Sequence, residues 1–454
     1  MNNEEIINPF LEKYADIADR QNRIPAELYE KYSVKRGLRN ADGTGVLVGL
    51  TEVGQVHGYI MDEGEKVSVP GVLRYRGIDV KDIVSGFQKE KRFGFEETAF
   101  LLLFGYLPEE QELTDFTRRL GELRRLPENF TEDMILKAPS ENIMNKLGRS
   151  VLSLYSYDDT ADNTDVPNVL RQSVELISRF PSIVAYAYQA KNHYFEDASL
   201  YIHSPDPAKS TSENLLGMIR VDQSYTREEA EILDLCLVLH AEHGGGNNSA
   251  FSTHVVSSSG TDTYSAISAA VGSLKGPLHG GAATMVRTMM RDIMDNVKDW
   301  TDEEEVTAYV TKILRNEAFD GKGLIYGMGH AVYTLSDPRA ELLKIKAAEL
   351  AKSTGKGKEF GLYEIVERVT PTVFAEVTGK QKDLCANVDF YSGFVYCCLN
   401  LPRELFTPIF AVARIAGWCA HRVEEIVSGG RIIRPAYRSI TRSRPYIPTK
   451  ERKY

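Results

Sequence analysis

Five of the nine histidines fall in the middle of the chain, and three of these lie beside glycines. His279 stands in Gly276-Pro-Leu-His-Gly-Gly281, just before a helical pattern that runs from Met285 to Val297. The positive end of a helix dipole disfavours an imidazolium ion. We therefore expect a neutral imidazole, which can donate a hydrogen bond to a developing oxyanion or enolate. A histidine packed at a helix entry is the alternative, and the motif alone leaves both open.

A second histidine motif, His240-Ala-Glu-His243-Gly-Gly-Gly-Asn247, ends an apolar helical pattern. Its two histidines suggest a metal site. A zincin, however, requires His-Glu-x-x-His within a helix, and this motif does not have that pattern. The glycines expose backbone groups and favour a compact anionic ligand, with structural capping as the alternative. A metal hydrolase built on His240, His243 and His254 is a separate hypothesis. Activity that persists in a strong chelator would eliminate it. We assign no role to His57, His193, His203 and His421.

The third motif, Gly327-Met-Gly-His-Ala-Val-Tyr333, leads into Ser336-Asp-Pro-Arg339. Glycine-rich turns of this kind place backbone N–H groups against phosphate or nucleotide edges. The spacing matches neither a Walker loop nor a dinucleotide-binding loop. The motif therefore indicates a ligand-binding turn without naming a standard nucleotide.

A carboxylate and two arginines complete the candidate groups. Asp389 lies among apolar residues, where partial burial raises a carboxyl pKa and suits a general base; capping of a helix that begins near Ser392 is the alternative. Arg414 lies on a nearly all-apolar helix and requires a fixed anionic partner. That partner is either an internal acidic residue or a substrate carboxylate. Arg434 is a second candidate to bind a substrate carboxylate.

Helical periodicity dominates the chain that must position these groups. The patterns span 96–104, 113–126, 142–155, 169–190, 227–240, 265–274, 303–316, 339–352 and 405–427, and Pro181 is a possible kink in the fourth. Short polar helices are expected before Lys35, and residues 43–80 read as one or two hairpins with a turn at Asp62-Glu63-Gly64. The fold class is therefore mainly α with a small N-terminal β-hairpin region.

Bulk properties restrict the function. A chain of 454 residues favours two or three domains, or one large domain with an insert. Apolar and charged contents of 43% and 26% are those of a soluble globular protein, and the net charge of −10 argues against non-specific nucleic-acid binding. We expect no membrane span, no secretory signal in the acidic start and, from five scattered cysteines, reduced thiols in a cytoplasm.

These motifs together resemble the citrate synthase family. The resemblance is specific from about Arg227 to the C-terminus, and in the N-terminal half it rests mostly on Leu73–Val80. The matching stretches are His240–Asn247, Gly276–Gly281, Gly327–Tyr333 with Asp337-Pro-Arg339, Asn387–Gly393, Arg414 and Arg434.

The resemblance implies condensation of acetyl-CoA with oxaloacetate and water to citrate and free CoA. Asp389 then removes a methyl proton, His279 donates to the thioester oxygen, and His330 polarises the oxaloacetate ketone. Both histidines and the base act together because a weakly acidic C–H needs a base and an oxyanion donor.

The remaining roles implied by the resemblance concern binding. Oxaloacetate is held by Arg339, Arg414 and Arg434 with His243 assisting, and no metal or permanently bound cofactor is used. The CoA adenine meets the backbone of Leu324, Ile325, Tyr326, Gly327, Met328 and Gly329, and Lys380 and Lys382 are candidates for the CoA phosphates.

The resemblance also implies a two-domain helical homodimer. Residues 1–280 and 395–454 form the large domain, residues 281–394 form a mobile small domain, and Arg434 reaches into the partner's site. The same catalytic residues serve 2-methylcitrate synthase, which uses propionyl-CoA, so that activity stays open. A non-catalytic CoA- or dicarboxylate-binding homologue is the remaining alternative.

Overall fold

The computed structural model of the chain describes residues 9–40, 43–63, 65–381 and 383–452, with side chains from Tyr14 onward. The described residues are mainly helical and contain one three-stranded antiparallel sheet, which confirms the predicted fold class. They divide into two compact units, one that ends at Leu50 and one that begins at Thr51.

The N-terminal unit contains two helices, α1 (Pro9–Asn22) and α2 (Ala26–Lys31), where the sequence predicts short polar helices. A single helical turn at Arg36–Leu38 and a bridge between Arg39 and Gly45 follow. No described side chain of this unit is buried, so its described part forms no apolar core.

The second unit opens with the predicted hairpin. Strand β1 (Gly54–Asp62) pairs antiparallel with β2 (Glu65–Tyr75), and the short β3 (Ile78–Asp79) pairs with the end of β2. The turn lies at Asp62-Glu63 as expected, and the third residue of the predicted turn, Gly64, lies outside the described residues.

Fifteen α-helices follow in the described part of this unit. They are α3 (Val80–Lys89), α4 (Phe95–Phe104), α5 (Glu110–Leu123), α6 (Ile143–Leu154), α7 (Val166–Phe195), α8 (Thr211–Ile219), α9 (Arg227–His240), α10 (Asn248–Ser257), α11 (Thr263–Lys275), α12 (Ala282–Asn296), α13 (Glu303–Leu314), α14 (Pro338–Ser353), α15 (Gly357–Thr378), α16 (Val388–Cys398) and α17 (Phe406–Val427). A π-helical turn spans Thr131–Leu136. The periodic patterns, including the one from Met285 to Val297, predicted ten of these helices to within a few residues at each end, and α7 continues through Pro181.

Helix α17 is the centre of the core. Its residues are almost all buried between Phe406 and Val423, and it packs against α4, α7, α9, α10 and α11. Gly417 permits this packing, because a Cβ atom there would lie 2.4 Å from the Ala241 carbonyl oxygen. The close approach brings Arg414 of α17 beside the end of α9, where the second histidine motif begins.

None of the helices in the described ranges combines the length and apolar character that a membrane span requires. All five cysteines are free; Cys236, Cys398 and Cys419 are buried, and Cys385 and Cys397 are half-buried. Burial raises the pKa of the Cys398 thiol to about 11, so this thiol stays protonated and unreactive.

Candidate active site

The turn after α9 places His243 in the interior. The side chain is 8% exposed, and its Nε2 atom is buried without a hydrogen-bond partner among the described residues. Burial, followed by the charge of Arg339, holds the pKa of His243 well below its usual range. Gly244 continues the turn with φ +80°, a left-handed conformation that suits glycine. The turn therefore presents a neutral imidazole with an open hydrogen-bonding position.

The loop between α13 and α14 holds His330 in one tautomer. The backbone N–H groups of Val332 and Tyr333 both donate to His330 Nδ1, at 3.0 and 3.1 Å. Nδ1 is therefore the acceptor, and a neutral ring carries its proton on Nε2. The His330 ring stacks on Tyr333 with a centroid distance of 4.8 Å and meets His243 edge-on at 5.1 Å.

The β-hairpin supports this loop from behind. The Gly71 N–H donates to Ser336 Oγ at 3.2 Å, and the Tyr333 hydroxyl contacts the Val72 carbonyl oxygen at 3.4 Å. A Cβ at Gly58 would lie only 2.7 Å from the Val332 carbonyl oxygen. The glycine at position 58 therefore lets the strand approach closely enough to fix the loop that carries His330.

His279 lies between α11 and α12, as the sequence predicts, and its Nε2 atom is 3.0 Å from Ser249 Oγ. Burial, with the charge of Arg414 as a second cause, lowers the pKa of His279 to about 4. The neutral ring is as expected, but burial and an arginine cause it, rather than the helix dipole on which the sequence argument relied. Ser249 also accepts from Trp418 Nε1 at 3.0 Å, so its own hydroxyl proton can donate to His279 Nε2 or to Asn247 Oδ1.

Asp389 lies in the first turn of α16. The cap of this helix is Asn387, whose side chain accepts from the Asp389 N–H at 3.0 Å. The alternative in which Asp389 caps a helix beginning near Ser392 is therefore wrong, because the helix already begins at Val388. Burial raises the pKa of Asp389 to about 6, although Arg339 and Arg414 oppose the effect of burial. A carboxylate of this pKa suits a general base near neutral pH.

The glycine-rich turn predicted for CoA is joined to the same helix entry. The Gly329 N–H donates to the Cys385 carbonyl at 2.7 Å, and Asn387 donates from its backbone to Gly327 at 2.8 Å and from its side chain to Gly329 at 3.0 Å. A Cβ at Gly327 would lie 3.0 Å from Phe390 Cα. The turn and the carboxylate of Asp389 are thus held in one rigid arrangement. Of the predicted turn residues, Leu324 is exposed and Ile325 is buried.

Arg414 is buried, with 1% exposure, and no carboxylate oxygen of the described residues lies within 4.0 Å of its guanidinium, although Glu242 acts on it at longer range. Its Nε donates to the His240 carbonyl at 2.6 Å, and its guanidinium lies 4.7 Å over the Phe410 ring. Its Nη1 and Nη2 atoms are buried without partners in the described part of the chain, and burial lowers its pKa to about 10. The internal ion pair considered from the sequence is therefore not formed there, and two donors remain for an anionic ligand.

Arg339 differs from Arg414 because it has a partner. Asp337, the N-cap of α14, accepts from Arg339 Nε at 3.0 Å and from Nη2 at 2.7 Å, and both side chains are buried. This bidentate pair holds the pKa of Asp337 below its usual range despite burial. The pair neutralises Arg339, so of the two buried arginines predicted to bind substrate only Arg414 lacks an ion pair in the described chain.

The predicted residues share one electrostatic environment. The charge of Arg414 lowers the pKa of Asp389, His279 and His243. It adds to the effect of burial on the two histidines and opposes the effect of burial on Asp389. Phe410 provides a second link, because its ring lies against His279 at a centroid distance of 6.5 Å and beneath the Arg414 guanidinium. Motifs separated by up to about 170 residues therefore converge at the end of α9 and the face of α17.

Three predicted residues lie apart from this group. Arg434 is exposed in the extended segment after α17, and no hydrogen bond or ion pair joins its side chain to another described residue. Lys380 is exposed just beyond α15. Lys382 lies outside the described residues.

Sequence reasoning missed several contributors. Ser249 and Tyr333 hold the catalytic candidates His279 and His330, and Phe410 lies between His279 and Arg414. Asp337 was visible two residues before Arg339, and an acid before an arginine at a helix start was the available signal. The metal triad of His240, His243 and His254 is not formed in the described chain, since His240 Nδ1 donates instead to the Cys236 carbonyl at 2.8 Å.

The chain is similar to known proteins over most of its length. The family described as "Citrate synthase, C-terminal domain" matches residues 41–436. Citrate synthase of Synechocystis is 34% identical over 84% of this chain and 88% of its own length. 2-Methylcitrate synthase 2 of Corynebacterium glutamicum is 32% identical over 80% of this chain and 87% of its own.

A solved structure extends the likeness to three dimensions. It is the ternary complex of carboxymethyl coenzyme A and oxaloacetate with citrate synthase from Thermoplasma acidophilum. It superposes with a TM-score of 0.75 at 26% identity and covers 92% of this chain and 99% of the other.

Proposed function

Because the chain belongs to the citrate synthase family, we propose that it condenses acetyl-CoA with oxaloacetate and water to give citrate and free CoA. The observation that carries the proposal is the position of Asp389. A carboxylate whose pKa is raised to about 6 lies in the field of Arg414, a buried arginine with unused donors that also lowers the pKa of His279 and His243. This set of groups fits removal of a proton next to a carbonyl and capture of a dicarboxylate.

The first step is enolate formation. Asp389 takes a proton from the acetyl methyl group, and the C–H electron pair moves into the thioester to form the enolate. His279 donates a hydrogen bond to the thioester oxygen; when Ser249 donates to Nε2, the His279 proton sits on Nδ1 and faces the substrate. A neutral donor matches the weak acidity of an enol better than an imidazolium would.

The second step forms the carbon–carbon bond. The enolate carbon attacks the ketone carbon of oxaloacetate, and the ketone oxygen receives a proton from His330 Nε2. The two backbone donors on Nδ1 fix this tautomer, so the proton already points away from the loop. Water then cleaves the thioester and releases CoA.

The dicarboxylate is proposed to bind at the unpaired donors. Arg414 offers two buried N–H groups, and His243 offers Nε2. Arg339, already paired with Asp337, adds its remaining N–H donors and a fixed guanidinium plane. Arg434 completes the clamp from a second copy in a homodimer, which accounts for an arginine that is exposed in the single chain.

Domain closure and CoA binding complete the proposal. Residues 281–394 act as the mobile domain against 1–280 and 395–454, and closure excludes water from the enolate. The backbone from Leu324 to Gly329 meets the adenine, with Lys380 and Lys382 near the phosphates. The reaction needs no metal or bound cofactor because His279 and His330 stabilise both developing charges. Five free thiols support the cytoplasm as the compartment.

The test is release of free thiol with oxaloacetate and either acetyl-CoA or propionyl-CoA. We expect a higher kcat/KM for acetyl-CoA. The second candidate, 2-methylcitrate synthesis, is favoured by the 32% identity to 2-methylcitrate synthase 2, and one methylene changes binding by only about 1–3 kcal/mol. A clear preference for propionyl-CoA would establish the second activity, and no thiol release from either would leave a non-catalytic binding homologue.

A further inference from the structure

Behind the His243 turn, two histidines that have no part in the proposed reaction face each other. His254 comes from α10 and His421 from α17, and His254 Nε2 lies 3.1 Å from His421 Nδ1. The His421 side chain is fully buried, and that of His254 is 13% exposed. Two ring nitrogens that converge from two rigid helices form the core of a possible ligand set.

The outer nitrogens of both rings are held by carboxylates. His254 Nδ1 lies 2.9 Å from Glu425 Oε2, and His421 Nε2 lies 3.0 Å from Glu242 Oε1. Histidines that bind metal ions typically give their other ring N–H to a carboxylate, which fixes the ring and directs the lone pair at the ion. Both inner nitrogens are therefore already oriented towards a common point.

A third ligand atom lies beside them. Glu424 follows His421 by three residues on α17, and its Oε2 atom is 3.7 Å from His421 Nδ1. That oxygen is buried without a hydrogen-bond partner within the described ranges, whereas Oε1 accepts from the Glu52 N–H at 2.7 Å. The carboxylate oxygen without a hydrogen-bond partner therefore lies beside both histidines and is available to bind a cation.

The spacing suits a small ion. The three ligand atoms lie within 4.8 Å of one another. Zn²⁺ at about 2.0–2.1 Å from each ligand in a tetrahedron places neighbouring ligand atoms about 3.4 Å apart. The observed separations of 3.1 and 3.7 Å bracket that value, so small side-chain shifts complete the site.

The charged side chains that contact the two histidines are carboxylates. Glu242, Glu424 and Glu425 all face the two histidines, and no lysine or arginine nitrogen of the described chain lies within 4.0 Å of their oxygens. Arg76 is close enough to interact electrostatically with Glu424 and Glu242, but it donates to the Leu102 carbonyl. Arg414 and Arg422 likewise act on Glu242 and Glu425 only at longer range, so the charged side chains in contact with the two histidines are carboxylates and no lysine or arginine of the described chain.

We propose that His254, His421 and Glu424 bind one divalent transition-metal ion, with Glu425 and Glu242 as the carboxylates that orient the histidines. Imidazole and carboxylate ligands favour zinc-like ions over Mg²⁺ or Ca²⁺. The partial exposure of His254 leaves a path for the ion and a position for water. The ion ties α10 and α17 to the turn that carries His243, and its binding does not depend on the proposed reaction.

The test uses the full-length chain after dialysis against a chelator. Titration with Co²⁺ is followed by visible absorption and titration with Zn²⁺ by calorimetry. We expect one ion per chain and a tetrahedral cobalt spectrum. His254→Gln and Glu424→Gln each remove one ligand and should weaken binding at least tenfold, whereas His193→Gln, at a half-buried histidine in the last turn of α7, should not change it.

Two results would overturn the site. One is that the wild-type chain binds neither ion, which would make the cluster a chain of hydrogen bonds with a proton between the histidines. The other is equal affinity in both ligand variants, which would locate the bound ion elsewhere. Circular dichroism verifies folding, and because Glu424→Gln is nearly isosteric, it tests the site even if His254→Gln fails to fold.

Discussion

Replacement of Asp389 by asparagine should stabilise the folded chain while it removes the catalytic base. Burial raises the pKa of Asp389 from an ordinary 3.8 to about 6, so the folded state disfavours the ionised carboxylate. A difference of about 2 pKa units at about 1.36 kcal/mol each corresponds to about 3 kcal/mol at neutral pH. Asparagine keeps the shape and avoids the buried charge.

The pH dependence has a definite sign. An acid with a raised folded pKa binds its proton more tightly in the folded state, so its ionisation destabilises the fold as pH rises. The advantage of Asp389→Asn should be full above about pH 7, shrink as pH falls from about 6, and be mostly lost near pH 4. The wild-type kcat/KM should fall as pH decreases through about 6, because the base becomes protonated.

The assay is thermal or urea unfolding of wild type and variant at pH 7.5 and at pH 4.5. Unfolding entropy of about 2.1 cal/mol/K per residue amounts to about 1 kcal/mol/K for 454 residues, so about 3 kcal/mol raises Tm by about 3 °C. Asp302→Asn is the matched control, because Asp302 is an exposed helix cap that asparagine replaces well. Equal stability of Asp389→Asn and wild type at both pH values would refute the argument that burial strains this carboxylate.

The other predictions concern the charged groups around the same site. His279→Ala should lower kcat by several orders of magnitude with the fold intact, and near wild-type turnover in the thiol-release assay would exclude the assigned donor role. Arg434→Ala should weaken oxaloacetate binding by about 2–5 kcal/mol, seen as a raised KM, and an unchanged KM would place it outside the site. Asp337→Asn keeps the cap of α14 but frees Arg339 to pair with Asp389, so the acid limb of the kcat/KM profile should move to lower pH; an unmoved limb would contradict this. Arg414→Leu should abolish measurable oxaloacetate binding by calorimetry while the unliganded chain stays folded, since the removal of a buried charge without a close ion pair offsets the lost hydrogen bond to the His240 carbonyl.

The sequence predicted the helices well because their apolar periodicity is local. Helix α9 has the predicted bounds, and α17 differs by a single residue at its start. The entry of α16 was misplaced, although Asn387 before Val388 is a recognisable cap signal. The apolar residues of α16 run all round the helix, so periodicity alone did not locate its first turn.

The features of the site that could not be predicted from the sequence depend on contacts between residues far apart in the chain. His254 and His421 meet across a separation of 167 residues, and no pattern along the chain indicates that they share a site. The neutral state of His279 was predicted, but its cause lies in the approach of α17 and Arg414. The role proposed for Arg434 requires a second chain, so one folded chain does not test it.

The distribution of charge explains why the site remains ready for substrate. Asp337 pairs with Arg339, and no ion pair within 4.0 Å joins Arg414 to Asp389 in the described chain. A bridge between Arg414 and Asp389 would stabilise both, but it would lower the pKa of the base and occupy the donors needed for a carboxylate. Because Asp337 pairs with Arg339, the half-buried carboxylate of Asp389 and the buried guanidinium of Arg414 both lack an ion pair in the described chain. The stability that this arrangement costs is therefore the condition that the proposed proton removal and anion binding require.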